Sequence, residues 1–219
     1  MDICLLQESY KVVGIQARSV PWWWFVWQKP SNINTYVLNC DGSLKKKIYG
    51  SSGYIIRSSQ GVPLFAGAIQ CPIEGLSVYF HEAKAILYGI IEVVRSFSFI
   101  EHLEIRSDSK GVINMLNQKQ YGDFPETFGE EEMKLINQIK SLAKCKLKSY
   151  RFVWVEREAN MAADFLAGEV NKKGPQCHSR CLRYKGVNEF PRRLKSICED
   201  DSNGIGRKRV AKTPNVLYR

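Results

Sequence analysis

At 219 residues with 44% apolar content, the chain has room for a proper core, as one medium domain with tails or two small domains. Its formal charge of +10 (pI near 9.3) is unevenly placed: from Asn171 onward there are 13 Lys+Arg against 4 Asp+Glu, leaving 19 against 18 for everything before. Seven scattered cysteines exclude a disulfide framework, and no run of roughly 18 uncharged apolar residues offers a membrane span, so the expectation is a soluble protein in a reducing compartment.

The start, Met1-Asp2-Ile3-Cys4, lacks the basic region of a secretory signal, which points to an intracellular protein, nuclear or cytoplasmic. Residues 1–30 show no period. They end in Pro21-Trp22-Trp23-Trp24-Phe25-Val26-Trp27, a Trp-rich lead-in without a fold of its own, whose indoles pack on the core or are the remnant of a longer ancestral polypeptide.

From Thr35 the texture is that of a compact α/β domain, taken to span 31–173. Tyr36 to Asp41, Gly53 to Arg57 and Pro63 to Gln70 predict three strands joined by the Lys45-Lys46-Lys47 loop and the Ser58-Ser59-Gln60-Gly61 turn, hence an antiparallel meander. Asp41 is expected to end the first strand, with Gly42 turning the chain away. At 100° per residue, a helix from about Ser77 to Phe97 puts Glu82 in the middle of a stripe with Ile86, Val93 and Phe97, and Lys84, Tyr88, Glu92 and Arg95 opposite. A Glu on the core face is costly unless something positive meets it.

His102 to Arg106 predicts a fourth strand closed by Ser107-Asp108-Ser109, then a helix carrying Val112, Ile113 and Leu116. Taken alone, Asp108 or Ser109 is an ordinary helix cap; in open α/β sheets, however, the carboxyl edge of the strands is where ligands bind. Glu130 to Cys145 predicts another helix, basic at its end, and Tyr150 to Val155 a fifth strand. Asn160 caps a last helix, Met161 to Val170, with Asp164 in its first turns, where the helix dipole alone would suit an acid. Beyond Lys173 the Gly, Pro, Asn and Arg content predicts a flexible basic tail, 174–219, of the kind that favours phosphate-rich partners. Within it, Cys177-His178-Ser179-Arg180-Cys181 lacks the second ligand pair of a zinc site, and Gly206-Arg207-Lys208-Arg209 is a weak basic import signal.

Four carboxylates from two strand ends and two helix starts, Asp41, Glu82, Asp108 and Asp164, cannot all ionise close together without positive charge. Hard oxygen ligands without Cys or His select Mg²⁺ or Mn²⁺. Two such ions serve in-line phosphodiester hydrolysis, one lowering the pKa of the attacking water and the other stabilising the departing 3′ oxygen.

The segments Trp27-Gln-Lys-Pro30, Leu38-Asn39-Cys40-Asp41-Gly42-Ser43, Gly53-Tyr-Ile-Ile-Arg57, His81-Glu82-Ala83, Ser107-Asp108-Ser109 and Arg157-Glu-Ala-Asn160-Met-Ala-Ala-Asp164 together resemble the type 1 ribonuclease H domain, especially its plant retroelement-derived branch. The resemblance covers about Trp27 to Val170. It implies a ribonuclease H-like α/β fold with a five-stranded mixed sheet, order 3-2-1-4-5, flanked by helices. It also implies that Asp41, Glu82, Asp108 and Asp164 are catalytic metal ligands, and that the RNA strand of an RNA·DNA hybrid is cut to 3′-hydroxyl and 5′-phosphate ends. Nucleic acid would be held near Asn39, Gly42, Ser43, Arg57, Ser109 and Asn160, largely by backbone groups reading 2′-hydroxyls. Two departures matter: no His lies between Phe152 and Asp164, which predicts slow turnover, and Glu130-Glu131-Glu132 stands where some relatives carry a basic hybrid-gripping insertion. The basic tail is expected to replace that grip. The rival readings are a retroelement-derived module that holds nucleic acid without cutting it, and an interaction protein that uses the Trp-rich lead-in.

Overall fold

The structure, a computed structural model, describes residues 22–45, 49–71, 76–118, 128–172 and 180–210. Most of the predicted 45–47 loop and the Cys177-His178 pair lie outside the described residues.

The meander forms as expected: β2 (Tyr36–Lys45), β3 (Tyr49–Arg57) and β4 (Pro63–Cys71) pair antiparallel, and the Gly61 amide donates to the Ser58 carbonyl at 2.9 Å to close the turn; β1 is Trp22–Phe25. Strands β5 (His102–Ser107) and β6 (Ser149–Trp154) then add in parallel beyond β2. The sequence-based order is therefore preserved, but a sixth strand, β7 (Cys181–Tyr184), joins the far edge beside β4, giving β6-β5-β2-β3-β4-β7.

Helices cover both faces. Helices α1 (Val78–Ser96), α2 (Lys110–Asn117) and α3 (Glu130–Lys146) pack on one, where Leu38, Ile56, Ile86, Ile90, Ile105 and Ile136 share a core. Helices α4 (Met161–Val170) and α5 (Arg192–Ser202) cover the other, where Leu166, Leu194 and Ile197 meet Ile55, Ala66 and Ala68. Burial on both faces explains why β3 is buried along its whole length although its Ser, Gly and Tyr residues do not form an apolar run. A Cβ on Gly53 would stand 2.4 Å from the Ala167 amide nitrogen, so this glycine sets how closely α4 lies on the sheet.

The expectation of a flexible tail is not met by residues 181–210. Leu194, Ile197 and Cys198 repeat at helical spacing in α5, and β8 (Arg207–Val210) pairs antiparallel with β1, so the ribbon β1-β8 ties the lead-in to the tail. Short apolar periods between Gly, Pro and Arg punctuation hid these elements. Within the basic run, the Arg207 guanidinium bonds Asp201 at 2.6 Å. β7 also corrects the outward face of α1: Glu92, expected in solvent, is buried because Arg183 of β7 pairs with it at 2.9 Å and Ser96 donates to it at 2.6 Å.

Candidate active site

Asp41 is not the last residue of its strand. β2 runs four residues further along β3, but its parallel partner β5 stops opposite Cys40, at Ser107. Asp41 and Asp108 are thus the first residues past the end of that parallel ladder and lie side by side. Gly42 serves an approach rather than a turn: a Cβ there would stand 2.2 Å from the Glu82 amide nitrogen and 2.5 Å from the His81 carbonyl carbon. The bare backbone lets the first turns of α1 rest on β2, and the Gly42 N–H donates to the Glu82 carboxylate. Gly42→Ala is expected to push Glu82 away from Asp41, lowering any activity of the site by about 10²-fold while costing about 1–3 kcal/mol of stability; parallel activity and melting measurements check both.

The structure brings together Asp41, Glu82 and Asp108, each offering a carboxylate oxygen within 4.8 Å of the others. Asp41 and Glu82 are buried and Asp108 is partly so. Burial pushes the Asp41 carboxyl well above its ordinary range, with the charges of Glu82, Asp108 and Asp164 adding to the effect. Glu82 rises to about 8, chiefly through burial and then the Asp108 charge, against bonds from Gly42 and from Ser107 Oγ at 3.3 Å. Burial also raises Asp108, which shares a hydrogen bond with Asp41 and therefore a proton between the two carboxyls. Asp164 stands apart from this triad. It is near enough to raise Asp41, but its Oδ1 is bonded by Arg157 Nη2 at 2.5 Å.

Two helix starts show what the site costs locally. Ser109 and Asn160 occupy the N-cap positions of α2 and α4, yet neither side chain caps. Asp108 is turned to the carboxylates, and the Asn160 amide reaches the Cys40 carbonyl at 2.8 Å and Asp108 Oδ1 at 3.5 Å. Foregone caps of about 1 kcal/mol each mark side chains committed elsewhere.

Among the residues expected to touch nucleic acid, Gly42, Ser43 and Ser109 are partly exposed beside the triad. The side chains of Arg57 and Asn39 point inward instead, each only 1% exposed. The Arg57 guanidinium stacks 5.0 Å from the Trp27 ring centroid and pairs with Asp201 at 2.7 Å, while Asn39 bonds Trp27 and Asn160. Asn160 is buried to the same degree. A polar residue in a family-like segment carries no sign of whether its side chain faces the groove or the core, and the side chains of these three face the core.

Sequence reasoning also passed over Arg157 and Trp154. Arg157 is largely exposed, and its positive charge acts on Asp164, Asp41 and Asp108. Trp154 donates its indole N–H to the Asp108 carbonyl at 3.1 Å and carries Lys110 5.6 Å above its ring. Arg157, three residues before Asn160 and seven before Asp164, was the available signal.

A mixed sheet with helices on both faces and acids at the end of its central parallel ladder defines a ribonuclease H fold. Residues 39–170 match the reverse transcriptase-like family, and the chain belongs to it. Among solved structures, the ribonuclease H1 of Halobacterium salinarum is similar at 18% identity over 64% of this chain and 99% of its own, with a TM-score of 0.55. The N-terminal ribonuclease H domain of a Mycobacterium tuberculosis protein, fused to maltose-binding protein, is 18% identical over 62% and 91%, with a TM-score of 0.53. A ribonuclease H1 isolated from compost and solved in complex with an RNA/DNA hybrid is 16% identical over 61% and 94%, also at 0.53. No curated protein matches the chain.

Proposed function

We propose that the chain is a divalent-metal-dependent endonuclease that hydrolyses the RNA strand of RNA·DNA hybrids. The observation that carries this reading is the Asp41–Glu82–Asp108 triad: three hard oxygen donors, gathered within 4.8 Å and raised by burial, with neighbouring acids' charges adding at Asp41 and Glu82, on the fold of ribonuclease H. Such a set fits Mg²⁺ or Mn²⁺, because a cation relieves the repulsion that the protein otherwise relieves by holding protons. Asp41, Glu82 and Asp108 would hold the first ion, and Asp164, freed from Arg157, would complete a site for a second. When bound, these ions supply a nucleophile at neutral pH and charge stabilisation at the leaving 3′ oxygen.

The chain's own residues supply the rest. Gly42 and Ser43 on β2 and Ser109 at the start of α2 present backbone and hydroxyl groups at the partly exposed rim, suited to the 2′-hydroxyls of an RNA strand. Arg157 offers a fixed positive charge to a phosphate arriving next to the acids. The partner is nucleic acid; among the described residues no helix is long and apolar enough to cross a membrane. The relative solved with an RNA/DNA hybrid supports the same substrate class for this chain.

Incubation of the protein with a labelled hybrid in Mg²⁺ or Mn²⁺ is the test, with duplex DNA and duplex RNA as controls. Cutting confined to the RNA strand of the hybrid is the expected result. A folded protein that binds hybrid without cutting it, in either metal, would establish the non-catalytic module instead.

A further inference from the structure

Trp27 lies in the lead-in, outside the strands and helices that carry the acids, yet it is only 4% exposed, and the guanidinium carbons of Arg57 and Arg106 both lie over its ring, at 5.0 and 5.2 Å from the centroid. Its indole N–H donates to Asn39 Oδ1 at 3.2 Å. Asn39 Nδ2 donates to Asn160 Oδ1 at 3.0 Å, and Asn160 Nδ2 donates to the Cys40 carbonyl at 2.8 Å and toward Asp108 Oδ1 at 3.5 Å. None of the three side chains leaves a buried polar atom without a partner.

The chain of bonds has a direction. A carboxamide can turn over and exchange its oxygen for its NH₂ group, so two amides in series have no polarity of their own. The indole nitrogen only donates. It therefore requires the oxygen of Asn39, which turns the Asn39 NH₂ to Asn160, which turns the Asn160 NH₂ to Cys40 and Asp108. With the opposite polarity, Asn160 would set an oxygen against a carbonyl and a carboxylate, both acceptors.

We infer that Trp27 is the positioning residue that anchors the far end of the Asn39–Asn160 relay, in the same polarity that the Cys40 carbonyl demands at the near end, so that Asn160 holds a donor to Asp108 and pins the backbone immediately before Asp41. This deepens the proposed hydrolase and rests on that reading for its link to catalysis. The relay makes the lead-in part of the catalytic unit: it keeps two carboxylates from separate strands at the spacing a cation needs. Groups that orient metal ligands act at about 10–100-fold in metal affinity.

The test compares wild type, Trp27→Phe and Asn160→Asp by Mn²⁺ titration calorimetry, hybrid cleavage, and NMR exchange of the Asn39 and Asn160 side-chain NH₂ protons. Trp27→Phe keeps an aromatic ring beside the two arginines and removes the donor, together with the buried volume of the second indole ring. Leu194→Ala, which loosens the core shared by α5 and α4 without touching the relay's bonds, controls for loss of stability. The expected result is Mn²⁺ affinity about 10-fold weaker in Trp27→Phe and about 100-fold weaker in Asn160→Asp, with faster exchange of the Asn160 NH₂ protons in Trp27→Phe and neither change in folded Leu194→Ala. Cleavage should lose kcat, with KM for hybrid unaltered. Unchanged exchange and Mn²⁺ affinity in Trp27→Phe, or equal weakening in Leu194→Ala, would overturn the inference. A wild type that binds Mn²⁺ but cuts nothing sinks the hydrolase reading alone. If it binds no Mn²⁺, that reading and the link to the metal site both fail, while the exchange data still decide whether Trp27 sets the relay.

Discussion

Asp41→Asn is expected to lower hybrid cleavage by about 10³-fold or more, and in metal-free buffer at pH 8 to make the protein more stable than the wild type. The two effects share one cause. Asp41 is raised by burial and by the charges of Glu82, Asp108 and Asp164, and Glu82 is raised from the usual 4.5 to about 8. Between these values the folded chain holds a proton that the unfolded chain has released. Stability without metal therefore falls as pH rises through that window, and the full cost is present above it. An Asn at position 41 removes the most crowded of the charges, keeps the volume, and donates an amide hydrogen to Asp108. The gain should be about 2 kcal/mol, or roughly 4–8 °C in a chain of this size. Below about pH 4 the acids are protonated in both states and the two proteins should melt together. Added Mn²⁺ should reverse the order, raising the melting temperature of the wild type but not of the variant. Melting curves at pH 4, 6 and 8, with and without Mn²⁺, measure all of this. A variant less stable than wild type at pH 8 without metal would mean that the triad is not a site of unrelieved repulsion.

Much of this site was legible because its parts obey local periodicities. The helical angle placed Glu82 on the inner stripe of α1, and the turn chemistry from Ser58 to Gly61 ordered the meander that carries Asp41. What was not legible depended on contacts between distant segments. That Asp41 lies past the end of β5 rather than at the end of its own strand follows from the Cys40–Ser107 register, which no property of residues 36–45 determines. That Asn39 and Arg57 face inward depends on Trp27 and Asp201, respectively 12 and 144 residues away. The sixth strand escaped notice because β7 has four residues and its burial alternates only on a half-covered edge, so it carries too little apolar signal to be seen before β4 is in place.

Asp201→Ala is expected to destabilise the protein by about 3–5 kcal/mol, a large loss for a residue that sequence composition assigned to a flexible tail. Asp201 Oδ2 accepts from Arg57 Nη2 at 2.7 Å and Oδ1 from Arg207 Nη1 at 2.6 Å, with the Arg57 and Asp201 side chains each 1% exposed. Arg57 is already short of partners, since its Nε and Nη1 make no hydrogen bond. Without Asp201 the guanidinium keeps only the face of Trp27, and an uncompensated charge remains inside the β3 end of the sheet. The substitution would also take the carboxylate from Arg207 on β8, which pairs with β1, leaving that guanidinium the Glu158 and Ile197 carbonyls. Deleting 174–219 would do more. It would bare the β4 edge now paired to β7 and strip Leu194 and Ile197 from Ile55 and Ala66, so lost hybrid binding in the truncated chain would report unfolding rather than lost charge. The electrostatic role of this region is better tested with Arg192→Gln and Arg193→Gln together, two exposed positions on α5. If these arginines contact phosphates, the double variant should melt like wild type and bind hybrid with a log-log salt slope shallower by about 2. An Asp201→Ala protein that melted within about 1 kcal/mol of wild type would show that the 181–210 segment is not held against the domain by this pair.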